Sequence, residues 1–202
     1  MSQRGRPRTF DSDAALRRAM LVFWEKGYEA TSMADLTAAM QIGAPSLYAA
    51  FGNKADLFAA TLKTYKAEIG QEIWDALSKA ATARQAFDNF LQETAAAYAR
   101  ADQPRGCMIA LGVLNGDADA IPACELLRDS RLENSNLLRA RLEQGVRDGE
   151  IAASADCQKI ADFYATVQHG MSITARDGAT LASLQSTADA AIAAWDALTS
   201  PR

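Results

Sequence analysis

Proline interrupts this chain only at positions 7, 45, 104, 122 and 201, so the intervals between the inner prolines can hold long unbroken helices. Proline removes a backbone donor and clashes with the preceding turn. Alanine, the strongest helix former, fills much of the space left, supplying 43 of the 202 residues. That pairing excludes a β-sandwich, a collagen-like repeat and a low-complexity disordered chain. Nearly half the residues are hydrophobic, enough for a real core, yet no run approaches the roughly 18 apolar residues of a membrane span. Met1 to Phe10 is polar and arginine-rich and lacks the apolar stretch of a secretory signal. The three cysteines, Cys107, Cys124 and Cys157, are an odd count with no zinc-like spacing, beside a single histidine. No metal and no cofactor are expected, and a reducing cytoplasm fits best.

Helical periodicity and stop signals then divide the chain. Asp11 or Asp13 can cap a first helix with Leu16, Ala19, Met20 and Phe23 on one face, stopped at Gly27. Ser32-Met33-Ala34-Asp35 reads as a capping-box start for a short helix through Met40. The turn Gln41-Ile42-Gly43 leads into a second short helix, Ala44 to Phe51, with Pro45 in its tolerant first turn. Two short helices across a tight glycine-containing turn, behind a longer support, describe a helix-turn-helix unit. After Gly52-Asn53, a long helix is expected from Lys54 to about Lys79. Further helices are expected from Thr82, over Gly106 to Asn115, from Pro122 to Gly149, over roughly Ser154 to Arg176, and from Leu181 to Leu198. The expectation is an all-α protein of nine helices: a helix-turn-helix domain over 1–53 and a helical bundle over 54–202, with 54–79 as the connecting helix.

A net charge of −4 argues at first against a nucleic-acid partner, whose binders carry basic surface. The charge is unevenly spread, however. Residues 1–54 hold seven Lys and Arg against five Asp and Glu, a net of +2, while the remainder carries −6. Arg4, Arg6 and Arg8 stand together with no acidic residue, and Pro7 forbids a helix there. The segment reads as a flexible basic arm of the kind that enters a minor groove beside a helix-turn-helix site; a merely solubilising terminus is the alternative.

Arg4-Gly5-Arg6-Pro7-Arg8, Gly27-Tyr28-Glu29-Ala30-Thr31-Ser32, Leu47-Tyr48 to Phe51 and Asn53-Lys54-Ala55-Asp56-Leu57-Phe58 together resemble the TetR/AcrR family of transcriptional regulators, in register over residues 4–60. The resemblance implies a DNA-binding head, a connecting helix, and a variable body that binds a small effector and forms a homodimer through its last two helices. It places Ala44 to Tyr48 in the major groove, with Pro45 and Ser46 facing bases and Tyr48 on a phosphate. It gives Thr31, Ser32 and Lys54 phosphate contacts as well. Ala49 and Ala50 depart from the commoner pattern, which has an aromatic residue and a histidine there, and Gly43 replaces a frequent hydroxyl cap. The function so implied is a ligand-responsive repressor that binds a palindromic double-stranded operator as a homodimer.

For the body, Trp74, Phe87, Phe90, Tyr98, Met108, Phe163 and Tyr164 lie on inward-facing stripes and are the candidate lining of a pocket for a largely apolar effector. The same spacing would serve plain core. Cys107, behind Arg105-Gly106 at a helix start, is a candidate redox thiol, which would make the protein a thiol-switched regulator; an enzyme built on a Cys107/His169 pair is the remaining alternative. Leu181, Leu184, Ala188, Ala191 and Trp195 recur in alternating steps of three and four, the seam of a helix packed lengthwise on another. That seam is the candidate dimer interface, with intrachain packing as its alternative.

Overall fold

Asp11 caps the first helix: its carboxylate accepts from the Ala14 N–H at 3.0 Å. The computed structural model describes residues 11–113 and 116–200, so Arg4, Arg6 and Arg8 of the expected arm lie outside the described residues. Helix α1 spans Ser12–Lys26 and ends at Gly27, whose φ of 79° suits glycine. Helices α2 (Met33–Met40) and α3 (Ala44–Phe51) follow. Helix α4 (Lys54–Tyr65) runs through one π-type turn, Lys66–Gly70, into α5 (Gln71–Lys79), forming one rod. Then come α6 (Ala83–Tyr98), α7 (Met108–Leu111), α8 (Ile121–Arg147), α9 (Cys157–Arg176), α10 (Leu181–Ala193) and α11 (Trp195–Thr199). With the rod counted once and the last two segments as one broken helix, the described residues hold the expected nine helices and no strand.

The boundaries differ where local signals were weak. Only Met108–Leu111 of the expected 106–115 helix is helical, and Leu114 and Asn115 lie outside the described residues. Helix α9 starts at Cys157 because the Asp156 carboxylate caps it, accepting from the Lys159 N–H at 3.0 Å. The last helix breaks at Ala194.

Helices α1, α2 and α3 form a small head around Ala15, Ala19, Met20, Leu36, Met40 and Leu47, all buried. Aromatic rings fasten the head to the rod. Phe23 meets Phe58 edge-on at 5.0 Å, Tyr28 meets Phe58 at 5.1 Å, and Trp24 meets Tyr65 at 4.9 Å. Each such pair adds about 0.5–1.5 kcal/mol beyond the area it buries. In the body, α6 is the central element, packed against α5, α9 and α10.

That arrangement corrects the expected dimer seam. Leu184, Ala188, Ala191 and Trp195 are buried inside the single chain, and only Leu181 at the helix start is exposed. Their small middle lets α10 lie close along α6, and Gln92 on α6 bonds Asp189 at 2.8 Å beside it. Trp195 inserts beside Phe87 with ring centroids 5.3 Å apart. A heptad stripe reports that a helix has a lengthwise partner, and here the partner is α6 of the same chain.

Overpacking tests this placement. Ala188→Leu adds bulk at a fully buried position and is expected to lower unfolding free energy by about 1–3 kcal/mol. Ala96→Leu, on the exposed face of α6, should stay within about 0.5 kcal/mol of wild type. Urea unfolding measures both, and an unaffected Ala188→Leu protein would place the seam outside the core.

Candidate nucleic-acid interface

The sequence builds the helix-turn-helix through its caps. Ser32 Oγ accepts from the Asp35 N–H at 3.0 Å while the Asp35 carboxylate accepts from the Ser32 N–H at 2.9 Å and its hydroxyl at 2.7 Å. Lys26 reaches the same carboxylate at 2.7 Å, and these donors, the lysine foremost, hold Asp35 well below the usual carboxylate range. Gln41 turns the chain after α2 with a left-handed φ of 58°. Asn53 and Asp56 repeat the reciprocal cap at the start of α4, at 2.9 and 3.1 Å.

Between these caps α3 presents an open face. Ala44, Pro45, Ser46, Tyr48, Ala49 and Ala50 are exposed and Leu47 anchors the helix from below. Tyr48 is 51% exposed, its phenol clear of the chain, and α3 carries no charged residue.

Two expected phosphate donors sit elsewhere. Thr31 is buried, and its hydroxyl donates to the Gly27 carbonyl at 2.6 Å; a hydroxyl beside a helix start can close the preceding turn as readily as face solvent. Ser32 is exposed, with its hydroxyl engaged in the cap. Lys54 is half-buried, its ammonium 4.4 Å from the centre of the Tyr28 ring. Burial there lowers its pKa against the opposing pull of Glu29, Asp117 and Asp119. The structure therefore brings Ala44, Pro45, Ser46, Tyr48 and Ser32 to the head's open side, buries Thr31 and holds Lys54 half-buried against the Tyr28 ring.

That junction has parts that local sequence signals do not announce. Arg176, in the last turn of α9, donates to the Trp24 carbonyl at 2.8 Å and the Glu25 carbonyl at 2.9 Å, closing the C-terminal end of α1. The Tyr28 N–H donates to the Gly112 carbonyl at 2.9 Å, so close that a Cβ on Gly27 would stand 3.0 Å from the same oxygen. At the π-type turn of the rod, Glu68 holds the head through Arg17, with both carboxylate oxygens 2.9 Å from Nε. Two residues earlier, Lys66 holds the body through Glu133 at 2.6 Å. A basic residue in a last helical turn is a weak generic signal, and the partners of Arg176 lie 151 and 152 positions away.

The expected effector lining is also corrected. Phe87, Phe90, Tyr98, Met108 and Tyr164 are fully packed, with Phe87 against Tyr164 at 4.7 Å and Phe90 against Trp74 at 5.3 Å. The rings fill one another's space. Phe163 points outward at 37% exposure, and Trp74 alone of the set borders an open cavity, between α5 and α8. Cys107 is buried, its N–H bonded to Ser172 Oγ at 2.8 Å, and its thiol lies beside the Tyr65 and Tyr98 phenols, whose pKa values burial first and the thiol second push up. Arg105, the expected thiolate partner, donates instead to the Ala179 carbonyl at 3.1 Å. His169 lines a separate groove with Arg131 and Asp162, and burial followed by the Arg131 charge lowers its pKa. No hydrogen bond joins Cys107 to His169 among the described residues.

Residues 15–61 match the sequence pattern of the bacterial regulatory proteins of the tetR family. The chain is 35% identical over 196 residues to the HTH-type transcriptional repressor ComR of Escherichia coli, covering 96% of this chain and 93% of that protein. It is 31% identical to the repressor BdcR of the same organism, over 91% of this chain and 88% of that one. A cysteine mutant of the TetR family transcriptional regulator CifR, solved with a 26-base-pair operator duplex, is 42% identical, covers 95% of this chain and 100% of its own, and superposes with a TM-score of 0.91.

The Arg176 contact yields a prediction. Arg176→Gln removes charge-assisted bonds to two helix-end carbonyls and should cost about 1–3 kcal/mol. Hydrogen exchange should show the loss first as faster exchange around Gly27 and Tyr28, with α6 unchanged. Equal acceleration throughout would mean that the contact stabilises the fold without holding the head.

Proposed function

Because the chain belongs to the TetR family of bacterial regulatory proteins, we propose that it is a cytoplasmic, ligand-responsive transcriptional repressor that binds a palindromic operator as a homodimer. The observation that carries this reading is the open face of α3, held by Leu47 and offering only small residues and the free Tyr48 phenol. Small residues let a helix sit deep in a major groove. With no arginine, lysine or amide on α3, few base-edge hydrogen bonds are available, so affinity falls mainly to phosphate contacts. Tyr48, Ser32 and the arm arginines Arg4, Arg6 and Arg8 are the proposed sources. The working division remains a head over 1–53 and an effector-responsive, dimerising body from residue 54, with no catalytic role assigned.

One head of this kind binds DNA weakly, and two-fold pairing is the usual remedy. The buried seam of α10 is not available, so the second copy is assigned to the exposed apolar side chains of the last long helices, Phe163 and Ile173 on α9 and Leu181 at the start of α10. A ligand acts on such a dimer only by preferring one spacing of the heads to another. The redox alternative rests on Cys107, a buried thiol beside the Tyr65 and Tyr98 phenols.

A gel-shift series on the DNA flanking its own gene tests the reading, with a protected palindrome and one dimer per site expected. Tyr48→Phe should weaken binding about tenfold. Deleting residues 1–8 should flatten the slope of log K against log salt by up to about 0.9 per arginine in phosphate contact. Absence of protection at moderate salt, with folded dimer present, would overturn the proposal, and an unchanged slope would remove the arm from it. Phe163→Glu is expected to give a folded monomer in sedimentation; a persistent dimer would place the interface elsewhere. If Cys107→Ser leaves the response of DNA binding to oxidant unaltered, the thiol switch is excluded.

A further inference from the structure

Half-buried Arg141 has no hydrogen bond and no carboxylate partner among the described residues, and its Nη1 is shut off from solvent. Buried polar groups are nearly always paired, so this one donor of a half-buried guanidinium is an exception that a ligand could satisfy. Its surroundings show what could pair with it. The side chain borders a cavity of about 450 Å³ between α5 and α8, whose apolar wall is Trp74, Leu77, Leu137 and Ala140. Leu137 remains 45% exposed there. Arg147 stands on the same rim, already held by Gln144 Oε1 at 2.7 Å. The one rim carboxylate, Asp75, is occupied by Lys79 at 2.6 Å and Gln71 at 2.8 Å. The cavity therefore combines a broad apolar wall, an indole, and one guanidinium whose donors are unclaimed. That size and that mixture are typical of small-molecule sites.

We propose that this cavity binds a small carboxylate with an aromatic or branched apolar body, with Arg141 as the anion's partner and Trp74 against the apolar part. A carboxylate matches the planar donor fork of arginine and satisfies two N–H groups at once. The position gives binding a consequence. Gln71 and Trp74 are in the first turn of α5, directly after the π-type turn whose Lys66 and Glu68 hold body and head. Such turns often mark functional sites in helices. An anion drawing α5 toward α8 acts on the rod at that turn. The regulatory consequence rests on the ligand-responsive reading above; the binding itself does not.

The test titrates the full-length protein, without DNA, with sodium 1-naphthoate and separately with neutral 1-naphthamide, following thermal stability and tryptophan fluorescence. Naphthoate is expected to bind saturably and to raise the melting temperature, with the amide at least about tenfold weaker, the worth of one charged hydrogen bond. Arg141→Met should abolish the preference while leaving the ligand-free melting temperature nearly unchanged, because the half-buried guanidinium makes no hydrogen bond or ion pair in the ligand-free protein. Arg141→Lys should keep part of it, and Trp74→Phe should lose the fluorescence change while keeping the thermal shift. Equal binding of acid and amide, an unaltered preference in Arg141→Met, or no saturable binding of either compound overturns the proposal. A protein that fails here but still protects operator DNA loses only this inference, whereas one that binds naphthoate and no DNA loses the regulator reading.

Discussion

A helix leaves its last carbonyls without partners in its own backbone, and at the end of α1 they are met by Arg176, brought from the far end of the chain. The attitude of the head depends on that contact. The head shares aromatic packing with the rod, but packing alone allows small rotations. Directional bonds from Arg176, with the Tyr28 N–H on the Gly112 carbonyl, fix its angle to the body. Lys54 over the Tyr28 ring adds charge to the same joint. The result is a head whose open face is positioned by a residue 151 and 152 positions away in sequence.

The rod supplies the second connection. Its π-type turn places Glu68 toward Arg17 of the head and Lys66 toward Glu133 of the body. Both pairs are partly exposed and individually weak, so their importance is geometric: they sit at the one irregular turn of the helix joining the two parts. A regular helix would transmit a displacement as a stiff strut, whereas an extra residue in one turn offers a place for two alternative arrangements. A ligand-dependent preference between those arrangements is all that regulation requires.

Much of this was legible in the residues. The capping pair Ser32/Asp35, the stop at Gly27 and the turn at Gln41-Ile42-Gly43 are local devices, and local chemistry determines them. Partners were harder to read than elements. The stripe from Leu184 to Trp195 has the same period whether it meets α6 or a second chain, and Phe87, Phe90 and Tyr164 have the spacing of a lined pocket and of a filled core alike. Thr31 and Lys54 were the right residue types near the right surface, but each found an internal partner first. The π-type turn, Arg176 and the unpaired Arg141 depend on distant contacts and left no readable pattern.

A head held at one angle to its body is the claim on which the regulatory account stands, and a distance distribution measures it. Spin labels at Ala49→Cys on α3 and Glu125→Cys on α8, both exposed, in a background with Cys107, Cys124 and Cys157 replaced by serine and labelled chains diluted with unlabelled ones, report the head-to-body separation. The account predicts a single narrow distance in the free protein, broadened when Arg176→Gln is added. A broad distribution in the parent, indifferent to Arg176, would contradict it.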